Sequence, residues 1–226
     1  MRGIHLDSPV LKVHISGEWA CFTRPELKVE RVSYEVITPS AARGVLEAIL
    51  WKPAIQWRIL RIHVLNPIKW ISFKRNEVTQ KISTDNAVGA MKKGGMPSLI
   101  AEDRRAQRHT LALRDVAYVV EAGFRMHPAK AGPEDNPQKF SEMFQRRLEK
   151  GQCYRTPYLG CREFVAWVRP ADASFKAILE TRDLGWMLYD IEFGKKNRPH
   201  FFHARMQDGV VEVVPPESWP GEKESQ

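Results

Sequence analysis

Cysteine is scarce in this chain, and its uninterrupted apolar runs are short. The three cysteines are Cys21, Cys153 and Cys161, and no two of them form a CxxC pair. An odd number of isolated cysteines argues against a disulfide framework and is typical of a reducing compartment. No apolar run approaches the roughly 20 residues that a membrane helix requires. The first residues, Met1 to Asp7, lack the apolar core of a secretory signal, so we expect a cytoplasmic protein with no membrane contact.

Several motifs of known chemistry are also absent. The sequence has no GxxxxGKS/T phosphate loop, no GxGxxG after a strand pattern and no GxSxG elbow to support a Ser-His-Asp triad. His200 and His203 are three residues apart on a predicted strand, so they point to opposite faces and make a poor metal site. We therefore predict no metal and no other cofactor.

Aromatic side chains and positive charge are abundant. The 226 residues include 7 Trp, 10 Phe and 5 Tyr, and 43% of the chain is hydrophobic, which is enough to fill a core. This composition excludes intrinsic disorder as the main state. Lys and Arg number 35 against 27 Asp and Glu, so the formal net charge is +8. A balance of this size favours polyanionic partners such as nucleic acid, but it does not identify one.

The order of the predicted elements indicates an α+β fold. Alternating apolar residues predict strands over 11–15, 60–64, 113–126 and 164–168, and helical periodicity with N-caps predicts helices over 39–50 and 137–150. The resulting order, β-α-β-β-α-β, is that of the split βαβ or ferredoxin-like fold. RNA-recognition domains use the same arrangement.

Two segments lie outside that order. Residues 66–110 form an insertion between the second and third strands, and the polar stretch 91–95 is typical of a mobile loop. Beyond residue 183, strand-like runs separated by turn signals predict a small antiparallel sheet. We therefore predict a ferredoxin-like domain over 1–175, with the insertion at 66–110, and a C-terminal β-sheet domain over 176–226.

The second predicted helix carries a line of cations. Lys139, Arg146 and Lys150 fall within about 20° of one line, beside the apolar face. Lys139 lies in the first turn, where the helix dipole disfavours a cation by roughly 0.3–1 kcal/mol. A residue placed against its local preference can have a functional role. A solvated helix flank, balanced by Glu142 and Glu149, explains the same pattern equally simply.

A second basic cluster precedes the third strand. It consists of Arg104, Arg105 and Arg108, followed by His109. Arginine is suited to phosphate binding, and histidine exchanges protons near neutral pH. The alternative is an arginine-rich loop whose charges only keep the protein soluble.

Many of these residues occur together in one known family. They are Trp19-Ala20-Cys21-Phe22-Thr23-Arg24-Pro25, Ser33-Tyr34, Thr38-Pro39-Ser40-Ala41-Ala42, Gly44, Trp51-Lys52-Pro53, Leu113-Arg114-Asp115-Val116, Gln145-Arg146 and Tyr158-Leu159-Gly160-Cys161-Arg162-Glu163-Phe164. In this order they make the chain resemble the CRISPR-associated protein 5 family of subtype I-C, also called Dvulg. The likeness covers nearly the whole chain, and it is the combination of motifs that is specific.

The resemblance implies both a fold and an activity. The fold is a ferredoxin-like domain of the RAMP superfamily followed by a small β-sheet domain, in agreement with the predicted strand order. The activity is an endoribonuclease that cuts CRISPR precursor RNA at the base of the repeat hairpin. It then retains the 5′ handle of the crRNA and joins the other subunits of the Cascade surveillance complex. Cleavage in the family needs no metal, because a 2′-hydroxyl attacks its own phosphate.

The family's described site departs from this sequence at two positions. It consists of a Tyr directly before Trp-Lys-Pro and a Lys-His pair that opens the second helix. Here the Lys is Lys139, but Leu50 and Phe140 stand at the other two positions, and neither can move a proton. Either other groups transfer the proton, with His109 as the first candidate and Tyr34 and Tyr154 as weaker ones, or this member binds RNA without cutting it.

The resulting prediction has catalytic and RNA-binding residues. The predicted catalytic residues are Lys139, His109 and Tyr34. The predicted RNA-binding residues are Arg43, Trp51, Lys52, Arg104, Arg105, Arg108, Arg146 and Lys150. At the end of the first helix, Trp51 either stacks on a base or packs into the core. Glu102-Asp103 and Glu134-Asp135 are interpreted as solvated loop or cap residues. The alternatives are a non-catalytic crRNA-handle-binding subunit and a less specific DNA or RNA nuclease.

Overall fold

Nine strands and three helices make up the part of the chain that the structure describes. This structure is a computed structural model, and it describes residues 6–27, 29–96, 100, 102–194 and 196–219. The strands are β1 (Leu11–Ala20), β2 (Arg31–Val32), β3 (Ile55–Val64), β4 (Trp70–Val78), β5 (Arg105–Met126), β6 (Trp167–Pro170), β7 (Arg182–Glu192), β8 (Arg198–Gln207) and β9 (Val210–Glu212). The helices are α1 (Pro39–Ile49), α2 (Thr84–Lys93) and α3 (Pro137–Glu149), with short 3₁₀ turns at Glu102–Arg104 and Pro128–Lys130.

All nine strands belong to one sheet. The strand order is β6-β1-β5-β3-β9-β8-β7, and β2 and β4 also pair with β5. The pairings are antiparallel except for the short parallel pair of β2 with β5. The first half of β5 pairs with β4, and its second half lies between β1 and β3. The molecule is therefore a mixed α/β protein with a large antiparallel sheet.

The core lies between one face of the sheet and helices α1 and α3. Alternate residues of β1, Val13 and Ile15, are fully buried there, and burying a side chain of this size contributes about 1.5–3 kcal/mol. From the helices, Phe140 and Phe144 pack onto the same face, with the ring centroid of Phe144 4.7 Å from that of Trp57. The opposite face of the sheet is polar. There Glu121 pairs with cationic side chains of β1 and β3.

The helix starts confirm the caps predicted from the sequence. Thr38 accepts a hydrogen bond from the backbone N–H of Ala41, and Asn136 accepts one from that of Lys139 at 2.8 Å. The six predicted elements are present in the predicted order, but all four strands differ in their bounds. The first continues to Ala20, the second begins at 55, the third begins at 105, and the fourth covers Trp167–Pro170 instead of 164–168. Before that fourth strand, the chain is held by a separate bridge to Tyr158.

The insertion is more regular than predicted. Residues 66–110 form β4, α2 and the first part of β5, so most of the segment is a long hairpin with a helix near its tip. The prediction of a loop over 91–95 is wrong, because Lys92 and Lys93 form the last turn of α2. Gly94, with φ of 71°, provides the left-handed C-cap. The glycines thus mark the end of a helix, which is a common use of this residue.

The three predicted C-terminal strands are confirmed as β7, β8 and β9. They are antiparallel to one another, and β9 also pairs with β3, which joins them to the rest of the sheet. Met187 and Phe202 belong to the same core as β1 and α1. The division into two domains at residue 176 stays a prediction, because a shared sheet does not decide whether the segment folds alone. No helix in the described residues is long and apolar enough to cross a membrane.

Candidate functional site

The C-terminal end of α1 contacts the last turn of α3 and the segment that follows it, and Lys52, just after α1, lies near Asp135 at the start of α3. We call this surface the helix-end site. Its residues are Trp51, Lys52, Asp135, Lys139 and Tyr154. Three contacts hold the last carbonyls of α1 in place, and they satisfy acceptors that a helix end leaves without a partner. Trp57 Nε1 donates a hydrogen bond to the Leu50 carbonyl at 3.0 Å. Arg147 Nη1 donates to the Ile49 carbonyl at 2.9 Å. The backbone N–H of Tyr154 donates to the Ala48 carbonyl at 2.8 Å.

Lys139 lies at the N-terminus of α3, where an ion pair offsets the unfavourable helix dipole. Its Nζ is 3.0 Å from Asp135 Oδ1, and its side chain remains 40% exposed. The pKa of Asp135 is lowered by hydrogen bonds from the Gly132 backbone N–H and from Lys139, and also by the positive charge of Lys52. Lys52 is thus near Asp135, so the positive charges of two lysines act on one carboxylate.

Two aromatic rings are exposed near the C-terminal end of α1. Trp51 is 58% exposed and Tyr154 is 83% exposed, so the alternative in which Trp51 packs into the core is wrong. Arg146 and Lys150 are exposed on α3 and extend the row of positive charge from Lys139. Cations that alternate with exposed aromatic rings are typical of surfaces that bind single-stranded nucleic acid, because the cations contact phosphates and the rings stack on bases.

Leu50 and Phe140 are buried beneath this surface. Leu50 is 0% exposed and Phe140 is 2% exposed. They pack in the core and do not present a polar group to the helix-end site. Proton transfer at this site therefore requires another residue, as the sequence indicated.

The second predicted basic cluster, here named the hairpin patch, consists of Arg104, Arg105, Arg108 and His109. The sequence placed it in a loop before the third strand, and this is corrected: Arg104 ends a 3₁₀ turn and the other three lie on β5. Since alternate residues of a strand face opposite ways, Arg105 and His109 share one face and Arg108 lies on the other.

The hairpin patch is partly neutralised by acidic neighbours. Arg105 pairs with Glu102 at 3.1 Å, and Arg108 Nη1 is 3.8 Å from Glu30 Oε1. The backbone N–H of His109 also donates to Glu30. Glu102 is thus a partner of an arginine rather than only a solvated loop residue.

His109 and Lys139 are not brought together. His109 pairs with Lys74 near the outer end of β5, whereas Met126, at the other end, pairs with Ile55 beside the helix-end site. At about 3.3 Å per residue, His109 and Met126 are roughly 55 Å apart along the strand. The predicted joint action of His109 and Lys139 at one phosphate is therefore not supported by their positions.

Tyr34 lies away from Lys139 as well. It is 1% exposed, and burial raises the pKa of its phenol. The Arg24 guanidinium lies 4.5 Å from the centre of its ring. Tyr34 precedes the first turn of α1 and Lys139 lies at the opposite end of that helix, so the length of α1 alone separates them by about 15 Å.

Arg43 forms two ion pairs that have a structural role. Its guanidinium is 2.7 Å from Glu47 and 2.8 Å from Asp190, and so it joins α1 to β7. An RNA contact by Arg43 would have to break both pairs, and we leave it out of the proposed RNA surface.

Sequence reasoning missed one residue of the helix-end site, Asp135, and one residue next to the loop that carries Lys52, His127. Asp135 was interpreted as a solvated loop or cap residue, yet it pairs with Lys139, and the i, i+4 spacing of the two was a signal for this. His127 was not considered. It directly follows β5, and its N–H donates to the Ala54 carbonyl at 2.8 Å, just beyond Trp51 and Lys52. Only the register of β3 with β5 reveals this proximity.

Among the residues that the structure describes, no group of three or more His, Cys, Asp or Glu is arranged to hold a metal ion. His200 is buried and His203 is exposed, so the two lie on opposite faces as predicted.

Comparison with known sequences identifies relatives over most of the chain. The family described as CRISPR-associated protein (Cas_Cas5) matches residues 10–214. A protein of Mannheimia succiniciproducens named CRISPR pre-crRNA endoribonuclease Cas5d is 51% identical over 214 residues, covering 91% of this chain and 95% of that protein. A Thermus thermophilus protein of the same name is 43% identical over 222 residues, covering 90% of each.

Solved structures share the fold. A crystal structure of a CRISPR-associated protein superposes with a TM-score of 0.69 at 21% identity, covering 95% of this chain and 96% of that one. The Streptococcus mutans protein SMU1763c, described as functionally uncharacterized, gives a TM-score of 0.66 at 22% identity, covering 92% and 93%. At this identity the likeness supports the fold alone. With its match over residues 10–214 and its two relatives above 40% identity, the chain belongs to the Cas5d family of CRISPR-associated proteins.

Proposed function

We propose that the protein is an endoribonuclease that cuts CRISPR precursor RNA at the repeat hairpin and then holds the 5′ handle within a Cascade complex. The observation that carries this proposal is the helix-end site, which presents the cations Lys52 and Lys139 and the exposed rings of Trp51 and Tyr154. Two relatives with the name of this activity, at 51% and 43% identity, support it.

The cations of the site suit a reaction in which the RNA breaks itself. The 2′-oxygen attacks the adjacent phosphorus as its proton leaves, the O2′–P bond forms and the P–O5′ bond breaks. The products are a 2′,3′-cyclic phosphate and a 5′-hydroxyl. Negative charge increases on the phosphoryl oxygens in the transition state, and an ammonium placed there stabilises it. We assign this role to Lys139, whose pairing with Asp135 holds it at the site before RNA arrives.

This reaction needs only the atoms of the RNA and the transfer of protons. We propose that it proceeds without a metal. Lys52 provides a second positive charge near the phosphate, and Arg146 and Lys150 contact the flanking backbone. The hairpin patch then binds RNA at a distance from the cut.

For the fold, the order β6-β1-β5-β3, with α1 after β1 and α3 after β5, supports a ferredoxin-like core of the RAMP superfamily.

One observation favours a second function, a subunit that holds the crRNA handle without cutting. Leu50 and Phe140 are buried and apolar where the family has proton-transferring residues. Such a protein would keep the RNA surface but lack a base at the helix-end site.

The deciding experiment is incubation of the protein with a labelled repeat hairpin in excess EDTA. We expect cleavage to one product with a cyclic phosphate end, and no cleavage when the nucleotide before the cut carries a 2′-deoxyribose. RNA that is bound but uncut under these conditions supports the handle-binding subunit. Equal binding and cutting of an unrelated RNA or DNA, with a steep salt dependence, supports a less specific nuclease.

A further inference from the structure

One imidazole without an assigned role follows the end of β5, beside the loop that carries Lys52. His127 is half-buried and caps the short 3₁₀ turn Pro128–Lys130, but its side chain makes no capping hydrogen bond. Within the described residues its ring takes part in no ion pair or hydrogen bond. A ring nitrogen that no protein group occupies is open to a ligand.

The backbone of His127 is fixed beside the loop that carries Trp51 and Lys52. Its N–H donates to the Ala54 carbonyl at 2.8 Å, and its carbonyl accepts from the Lys130 N–H at 2.9 Å. The segment that follows leads directly to Asp135 and Lys139. His127 is thus held between the end of α1 and the start of α3, the two parts that form the site.

The charged groups on the segments next to His127 come from several elements. Lys52 belongs to the loop after α1, Lys130 to the 3₁₀ turn, and Asp135 and Lys139 to the start of α3. From the N-terminal segment, Asp7 accepts a hydrogen bond from the N–H of Met126 at 2.7 Å, and Arg125 precedes it on β5. Positive charges predominate, so a phosphate is the ligand that this environment favours.

We infer that His127 is the general base of RNA cleavage, an assignment that rests on the proposed function. Neutral imidazole removes the proton of the attacking 2′-hydroxyl as the O2′–P bond forms. The P–O5′ bond then breaks, and the leaving oxygen takes a proton from water. The imidazolium returns its proton to the resulting hydroxide, so the protein ends unchanged. Lys139 stabilises the charge on the phosphoryl oxygens in between.

The test is the pH dependence of single-turnover cleavage, in EDTA, by wild type and His127→Gln. The wild-type rate rises with pH through the range in which an imidazole loses its proton, and then levels off. His127→Gln is at least 100-fold slower at neutral pH and loses that rising limb, since general-base catalysis contributes about 10²- to 10⁴-fold. His203→Gln, which removes an exposed imidazole on β8, is the matched control and keeps the wild-type profile.

Chemical rescue separates a base from a structural residue. His127→Gly is slow, and added imidazole restores its rate in proportion to the imidazole concentration, while RNA affinity stays within about twofold of wild type. Wild-type rates in His127→Gln, or a slow variant that keeps the rising limb and is not rescued, would overturn the role of His127 and leave the proposed function standing. Wild-type protein that binds the hairpin without cutting it overturns both.

Discussion

The two basic regions of this protein are built differently. The helix-end site lies on the ends of two capped helices, and buried residues such as Trp57 and Phe144 fix the backbone beneath it. The hairpin patch lies on the outer half of β5, which pairs with β4, a strand buried little along its length. Catalysis requires groups held within fractions of an ångström, whereas phosphate binding tolerates mobility. We therefore propose that the first region cuts the RNA and that the second binds it.

The largest expected effect, that of Lys139→Ala on the cleavage rate, distinguishes a region that cuts from one that only binds. Lys139→Ala slows single-turnover cleavage of the repeat hairpin by about 100-fold or more, because one charge-stabilising donor is worth about 10² to 10³ in rate. RNA affinity changes by less than about threefold. Lys176→Ala, an exposed lysine outside both regions, serves as the control for loss of one charge. An equal loss of rate in both variants would refute a specific role for Lys139.

Two tryptophans, Trp51 in the helix-end site and Trp57 beneath it, provide a second contrast. Trp57 is 2% exposed, so Trp57→Ala lowers the free energy of unfolding by about 3–5 kcal/mol, as measured by denaturant titration.

Trp51 is 58% exposed, so Trp51→Ala changes the free energy of unfolding by less than about 0.5 kcal/mol. It weakens RNA binding by about 1–3 kcal/mol through the loss of base stacking. Trp51→Phe, which keeps an aromatic face, restores part of that affinity. Unchanged RNA affinity in Trp51→Ala would remove the ring from the proposed surface.

For the hairpin patch, the expected change is in binding and in its salt dependence. Arg105→Ala with Arg108→Ala removes up to two phosphate contacts and reduces the slope of log affinity against log salt by about 1 for each. Cleavage at saturating RNA stays within about twofold of wild type. If saturating rates fall as far as in Lys139→Ala, the division of labour between the two regions is wrong.

The sequence predicted the fold better than it predicted the site. Element order follows from local patterns, such as the Thr38-Pro39 and Asn136-Pro137 starts, and these are independent of distant residues. The site depends on register. Which residue of β5 lies beside Ala54 is decided by the pairing of Met126 with Ile55. The residues from Arg104 to His109 have suitable side chains, and so the sequence favoured them for the phosphate that is cut. The helix-end site is better placed to bind that phosphate.

The insertion illustrates the same limit. Gly94-Gly95 next to two lysines matches a loop and a helix end equally well, because both use glycine after a polar run. The choice depended on Ser83, whose side chain accepts from the Asn86 N–H and starts α2. That cap was present in the sequence, but no strong apolar periodicity followed it, since none of the residues of α2 is buried.

The smallest expected effect concerns Asp135. Its pKa lies below the ordinary 3.8 because the Gly132 N–H and Lys139 favour the carboxylate. A carboxyl with a lowered folded pKa adds stability that is present above its unfolded pKa and is lost as pH falls through the folded one. In wild type, the free energy of unfolding therefore falls as the pH drops from about 4 to the lowered pKa of Asp135. Asp135→Asn should make this fall smaller. A pH-stability curve identical to that of wild type would show that the pair contributes nothing.

The most direct test of the account is to locate the cut site on the protein. A repeat hairpin with a 2′-deoxyribose before the cut and a photoreactive base at that position binds without breaking. Illumination and mass spectrometry then identify the residues in contact. We predict cross-links to Trp51, to Tyr154 and to the 127–139 segment. Cross-links confined to residues 104–109 on the hairpin would contradict the assignment of cleavage to the helix-end site.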